Sequence, residues 1–94
     1  ADRIHWTDLN SPGIISEFVP TSSPVSPISL NGKSAIYGCE DRLCSLDLIT
    51  KKSTLANDTA IDKSFSASWV KIKSRDYAFV NVNGKATLLT KPLN

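Results

Sequence analysis

From Ile28 onward apolar residues recur at every second position, and polar turn residues interrupt them at short intervals. A period of two belongs to a strand with one buried and one wet face, so this stretch is committed to sheet and excluded from helix. The spacing predicts strands at about 28–30, 34–39, 43–50, 68–73, 77–82 and 85–90. Two connections are Asn-Gly, at Asn31-Gly32 and Asn83-Gly84. Both residue types tolerate the positive φ of a type I′ hairpin turn. Glu40-Asp41-Arg42 and Ser74-Arg75-Asp76 supply polar turns for two more hairpins. The outcome is two three-stranded antiparallel meanders, 28–50 and 68–90, joined through Lys51–Ala67. Within that connection Asn57-Asp58-Thr59 offers capping residues without a sustained helical period, which allows at most one short helical turn.

Alternation also assigns faces. Val70 shares a face with Ile72, Ala78 with Val80 and Val82, Ala86 with Leu88, and Leu46 with Leu48. Each meander then has an apolar face to remove from water. At ~25 cal/mol per Å2 of buried apolar surface, stacking the two faces is the economical arrangement. The expected fold is all-β, a small sandwich or half-open barrel.

Upstream of Ile28 the texture changes. Four of the five prolines lie there, and the run from Pro20 to Pro27 blocks helix and removes ladder donors. Residues 1–27 are therefore expected to be an extended arm and Pro/Ser-rich linker, with Gly13–Val19 as an edge strand or docking arm, and residues 28–94 the β domain. With 94 residues in all, there is room for one domain. No apolar run approaches the ~18 residues of a membrane-crossing helix. A net charge of +2 without a basic cluster argues against nucleic acid as a partner.

Cys39 and Cys44 flank the Glu40–Leu43 turn, within reach of one another if the hairpin sets them opposite. A structural disulfide is the expectation. A metal half-site is disfavoured because only one histidine exists, and a redox pair because the Cys-x-x-Cys spacing is missing. A disulfide implies export to a periplasm or extracellular space. With no signal peptide visible, Ala1 is then expected to be a mature or trimmed start. No catalytic signature is visible, and neither a metal nor another cofactor is expected. His5 has Asp8 nearby in sequence, but nothing places a nucleophile beside them. Trp6 has two readings, a docking anchor or a ring folded back onto the sandwich. Asn57-Asp58-Thr59 also fits a glycosylation sequon, a tripeptide frequent by chance. For Trp69, packing on the sheet is preferred over ligand stacking.

A short strand ending in Leu30-Asn-Gly32, then Leu55-Ala-Asn57-Asp58-Thr-Ala-Ile61, Trp69-Val-Lys-Ile72 and Tyr77-Ala-Phe-Val-Asn-Val-Asn-Gly84-Lys-Ala-Thr-Leu88, follow in order. This series resembles the periplasmic homology region shared by the type II secretion C-component and PilP-like proteins of the type IV pilus. Two departures stand out: Asn57 replaces the family glycine, and the cysteine pair is unusual. The resemblance implies a non-enzymatic connector that docks a secretin N-terminal domain onto inner-membrane components. Candidate partner-binding residues under this reading are the aromatic and basic ones expected near sheet edges, Tyr37, Tyr77 and Phe79 with Lys73 and Arg75, together with Trp6. A rival reading is a small secreted inhibitor or toxin-like effector acting through the disulfide-tipped hairpin Gly38–Cys44, rigid before it binds.

Overall fold

The structure, a computed structural model, describes residues 3–20, 29–62 and 67–93. It is all-β. β1 (Ile4–Thr7) pairs with β2 (Ile15–Phe18); β3 (Ser29–Asn31), β4 (Ser34–Cys39), β5 (Arg42–Asp47) and β6 (Ser53–Asn57) form a four-stranded sheet; and β7 (Ser68–Ile72), β8 (Arg75–Val82) and β9 (Lys85–Leu88) form a three-stranded one. All pairings are antiparallel. The sandwich expectation holds, with two revisions. Ser53–Asn57, expected inside a connection, is a fourth strand of the first sheet. After it Asn57 accepts the amide of Thr59 at its own Oδ1, 2.9 Å away, closing a small side-chain turn. Residues 4–18 are a paired hairpin, not a lone extended segment. The linker reading of the Pro20–Pro27 run lies, from residue 21 onward, outside the described residues.

The four-stranded sheet is the middle layer. Ile36 and Leu43 point from one of its faces into a core shared with Ala78 and Val80 of the three-stranded sheet, sealed by Ile61, Ala67 and Leu89. From the other face Ala35, Tyr37 and Leu46 meet Ile4 of the N-terminal hairpin, with Trp6 and Phe18 packed alongside. Covering both faces explains why β4 is buried almost throughout: a strand with apolar neighbours above and below cannot alternate. Along one side the two sheets are tied by Trp69, whose Nε1 donates to the Ser29 carbonyl at 2.9 Å, and by Asn31, whose Nδ2 donates to Asp76 Oδ2 at 3.2 Å. Trp69 thus packs and anchors, as preferred from sequence.

Turn chemistry fixes the registers. Asn83 and Gly84 both have positive φ, 51° and 77°, as a type I′ turn requires. The turn amides are held by Asp62, whose two carboxylate oxygens accept from Asn83 N at 3.0 Å and Gly84 N at 2.8 Å. The first Asn-Gly is used differently: Asn31 pairs with Ser34, so Gly32 and Lys33 form the turn and Gly32 alone is left-handed. The hairpin expected at Ser74-Arg75-Asp76 turns one step earlier. Ile72 pairs with Arg75, leaving Lys73 and Ser74 at the tip with φ of 49° and 68°. Two successive non-glycine residues there store strain of roughly 1–2 kcal/mol each.

Candidate functional site

The one-step shift of the Lys73-Ser74 turn creates the candidate site. Residues directly opposite in an antiparallel ladder point to the same side. Val70 lies opposite Tyr77, Ser68 opposite Phe79 and Ile72 opposite Arg75; on the far strand Leu88 lies opposite Phe79 and Ala86 opposite Asn81. The inward face of this sheet is therefore built from Trp69, Ala78, Val80 and Val82. Its outward face collects Val70, Ile72, Tyr77, Phe79 and Leu88, with Arg75 at one end and Lys73 in the adjoining turn. The expectation that Val70, Ile72, Ala86 and Leu88 serve the core is corrected: their parity puts them outside.

This outer face is apolar and largely uncovered. Ile72 and Phe79 are 40% and 41% exposed, and Val70, Tyr77 and Leu88 are half-buried by their neighbours. A surface-facing strand normally carries polar side chains at such positions. Contiguous apolar surface on a small domain marks an interaction site more often than an accident of folding.

The structure brings four of the candidate partner-binding residues together here: Lys73, Arg75, Tyr77 and Phe79. It separates the other two. Tyr37 is corrected from an edge position to the interior, 2% exposed beneath the N-terminal hairpin, with its hydroxyl 2.6 Å from Ser53 Oγ. That burial removes it from any surface contact. Trp6 is half-buried and folded back onto the middle sheet, with Lys51 Nζ 5.9 Å above its ring. It lines an open cleft of about 430 Å3 with Ile14, Leu30 and Ile49, on the opposite side of the middle layer from the three-stranded sheet.

Cys39 and Cys44 form the disulfide. They are diagonal neighbours rather than direct opposites, since Cys39 pairs with Arg42 and Cys44 with Tyr37. A Cα separation of 5.8 Å accommodates the bridge. The two-residue tip of this hairpin, Glu40-Asp41, is stapled internally: Arg42 Nη1 lies 3.0 Å from Asp41 Oδ2, Arg42 Nε lies 3.6 Å from Asp58 Oδ1, and the Asp41 carbonyl accepts from Ile61 N. Arg42 is thereby occupied within the molecule.

His5 does not meet Asp8. Its Nε2 lies 2.9 Å from Glu17 Oε1, across the hairpin, and Arg3 Nη1 donates to the same oxygen at 3.0 Å. The His5 hydrogen bond and then that of Arg3 hold the Glu17 carboxyl below the ordinary range. Asp8 instead accepts the amide of Asn10 in the loop. The trio is exposed and has no nucleophile within its bonds. Asn57 is 7% exposed and engaged with its own turn, so in the folded protein the sequon offers no accessible amide. No group of three or more His, Cys, Asp or Glu side chains that could hold a metal ion occurs among the described residues.

Sheet edges offer less than this face. β9 begins at Lys85 and is followed by Lys91-Pro92; β3 is three residues long; and the β5–β6 register slips, with Cys44 opposite Leu55 but Leu43 opposite Asn57, so Ala56 is an extra residue in β6. Charges, proline, brevity and bulges are the devices that keep edges from pairing with other chains. Among known proteins the chain matches no family model, no curated sequence and no solved structure.

Proposed function

We propose that this chain is a non-enzymatic interaction module that binds another protein through the outer face of its three-stranded sheet. The observation that carries the reading is the contiguous apolar set Val70, Ile72, Tyr77, Phe79 and Leu88, exposed at Ile72 and Phe79 and half-buried elsewhere, on a sheet whose other face already supplies the core. Aromatic anchors beside arginine are the side chains over-represented where binding energy concentrates. The disulfide fits an exported protein. In its narrower form the module is a structural connector in a periplasmic secretion or pilus assembly, and its partner is a secretin N-terminal domain; that form rests on the sequence resemblance. The alternative, an inhibitor acting through hairpin 38–44, is less well supported because Arg42 is tied to Asp41 and Asp58.

A photo-reactive residue placed at position 79 in the native exporting cell tests the reading, with the same residue at exposed Thr50 as control. Adducts to one discrete protein from position 79 and none from position 50 are expected. Absence of adducts at 79, or equal labelling at both, would overturn the face as the binding surface. An adduct identified as a secretin or pilus component supports the connector form, and adducts with soluble enzymes alone count against it.

A further inference from the structure

The charge of the molecule is divided unevenly along the chain. Residues 67–93 carry five basic side chains and one acidic. That segment is +4 in a chain of +2, which leaves the remainder at −2. The single acid, Asp76, is engaged by Lys71 at 3.7 Å and by Asn31. Lys73, Arg75, Lys85 and Lys91 join no ion pair among the described residues. Outside it Arg3 and Arg42 are paired with carboxylates, while Lys33, Lys51 and Lys52 also join no ion pair among the described residues.

An apolar face with Arg75 and Lys73 unpaired at one end selects its occupant there by sign. Bringing a neutral or basic surface onto it would leave Arg75 desolvated without compensation or facing like charge. A partner presenting carboxylates around an apolar centre meets the cations while its apolar side chains cover Phe79 and Ile72. The lysine at the strained tip points the same way: Lys73 occupies a left-handed position that asparagine or glycine would hold at lower cost, and it stands next to Arg75 across the turn. Tyr77 is flanked by Val70 and Phe79 by Leu88, aliphatic side chains that complement apolar side chains of a protein, and the cations stand at one end only, short of the continuous basic track a nucleic-acid backbone needs.

Resting on the function proposed above, we infer that the occupant of the outer face is an acidic protein segment, in which carboxylates alternate with apolar side chains. The full chain, disulfide intact, is used to select binders from a displayed library of random dodecapeptides. Sequences rich in Asp and Glu interleaved with apolar residues are expected. Their affinity should fall about tenfold on Arg75→Glu and on raising salt from about 50 to about 500 mM, and should survive Arg75→Lys largely intact. Phe79→Ser should abolish it. Thermal unfolding of each variant establishes that it folds, and where Phe79→Ser does not, Ile72→Ser replaces it. Neutral or basic peptides bound at this face would overturn the inference and leave the interaction module standing. Peptides indifferent to substitutions at 72, 75 and 79, or no enriched peptide at all, would overturn both. Binding of an oligothymidylate that Phe79→Ser removes would overturn the protein occupant.

Discussion

The four-stranded sheet is apolar on both faces and covered on both, by the N-terminal hairpin on one side and the three-stranded sheet on the other. The three-stranded sheet is also apolar on both faces but covered on only one. In the first case the central strands β4 and β5 bury their apolar side chains on both faces, and only Leu30 and Leu55 of the edge strands stay exposed. In the second, Val70, Ile72, Phe79 and Leu88 contribute less to holding the chain together than a fully buried side chain does, because they keep contact with water. The difference separates residues retained for stability from residues available for recognition, within one small domain.

The largest effects that test this contrast lie in the middle layer. Leu43→Ala and Leu46→Ala remove fully buried side chains from its two faces and should each cost about 2–5 kcal/mol in denaturant unfolding. If Leu46→Ala costs much less than Leu43→Ala, the hairpin is a loose cover and the middle sheet is not truly covered twice. Opening the disulfide by a Cys39→Ser and Cys44→Ser pair should cost about 2 kcal/mol, since the bridged loop is short. The two cysteines face the N-terminal hairpin, so the loss should leave binding at the outer face unchanged. Replacing the strained tip by Lys73→Asn with Ser74→Gly should raise stability by about 1 kcal/mol, measured by the same unfolding curves. Smallest of all, Phe79→Ser and Ile72→Ser should each change stability by less than about 1 kcal/mol, the range of exposed positions, while removing binding. A cost of several kcal/mol at either would place this face in the core and end the comparison.

How far the chain could be read in advance depended on where the signal was local. Asn83-Gly84 specifies its own turn, and the cysteine pair its own bridge, because each needs only adjacent residues. β6 escaped notice because Ser53–Asn57 has only Leu55 and Ala56 to show a pattern, and Leu55 faces out. Tyr37 departs from its expected edge position for a different reason. Its neighbours Ala35, Ile36 and Gly38 form an unbroken small-to-apolar run, which is the mark of a strand buried on both sides and cancels the alternation rule. The site itself hung on a turn. With the tip at Ser74-Arg75-Asp76, Val70 would oppose Val80 and face the core; with it at Lys73-Ser74, Val70 opposes Tyr77 and faces outward. Lysine and serine carry no preference for left-handed geometry, so nothing local announced the shift. Aromatic and basic chemistry marks Lys73, Arg75, Tyr77 and Phe79 in the sequence, and the register is what brings them to one face.

The unpaired cations at one end of the outer face also bear on how the protein meets copies of itself. Two molecules stacked with these faces parallel bring Lys73 and Arg75 of each against those of the other, a repulsion that acts before the apolar side chains touch. An exposed apolar sheet is ordinarily a liability in concentrated solution. Here the cations oppose that arrangement at low ionic strength, and added salt, by shortening the reach of the repulsion, weakens their opposition.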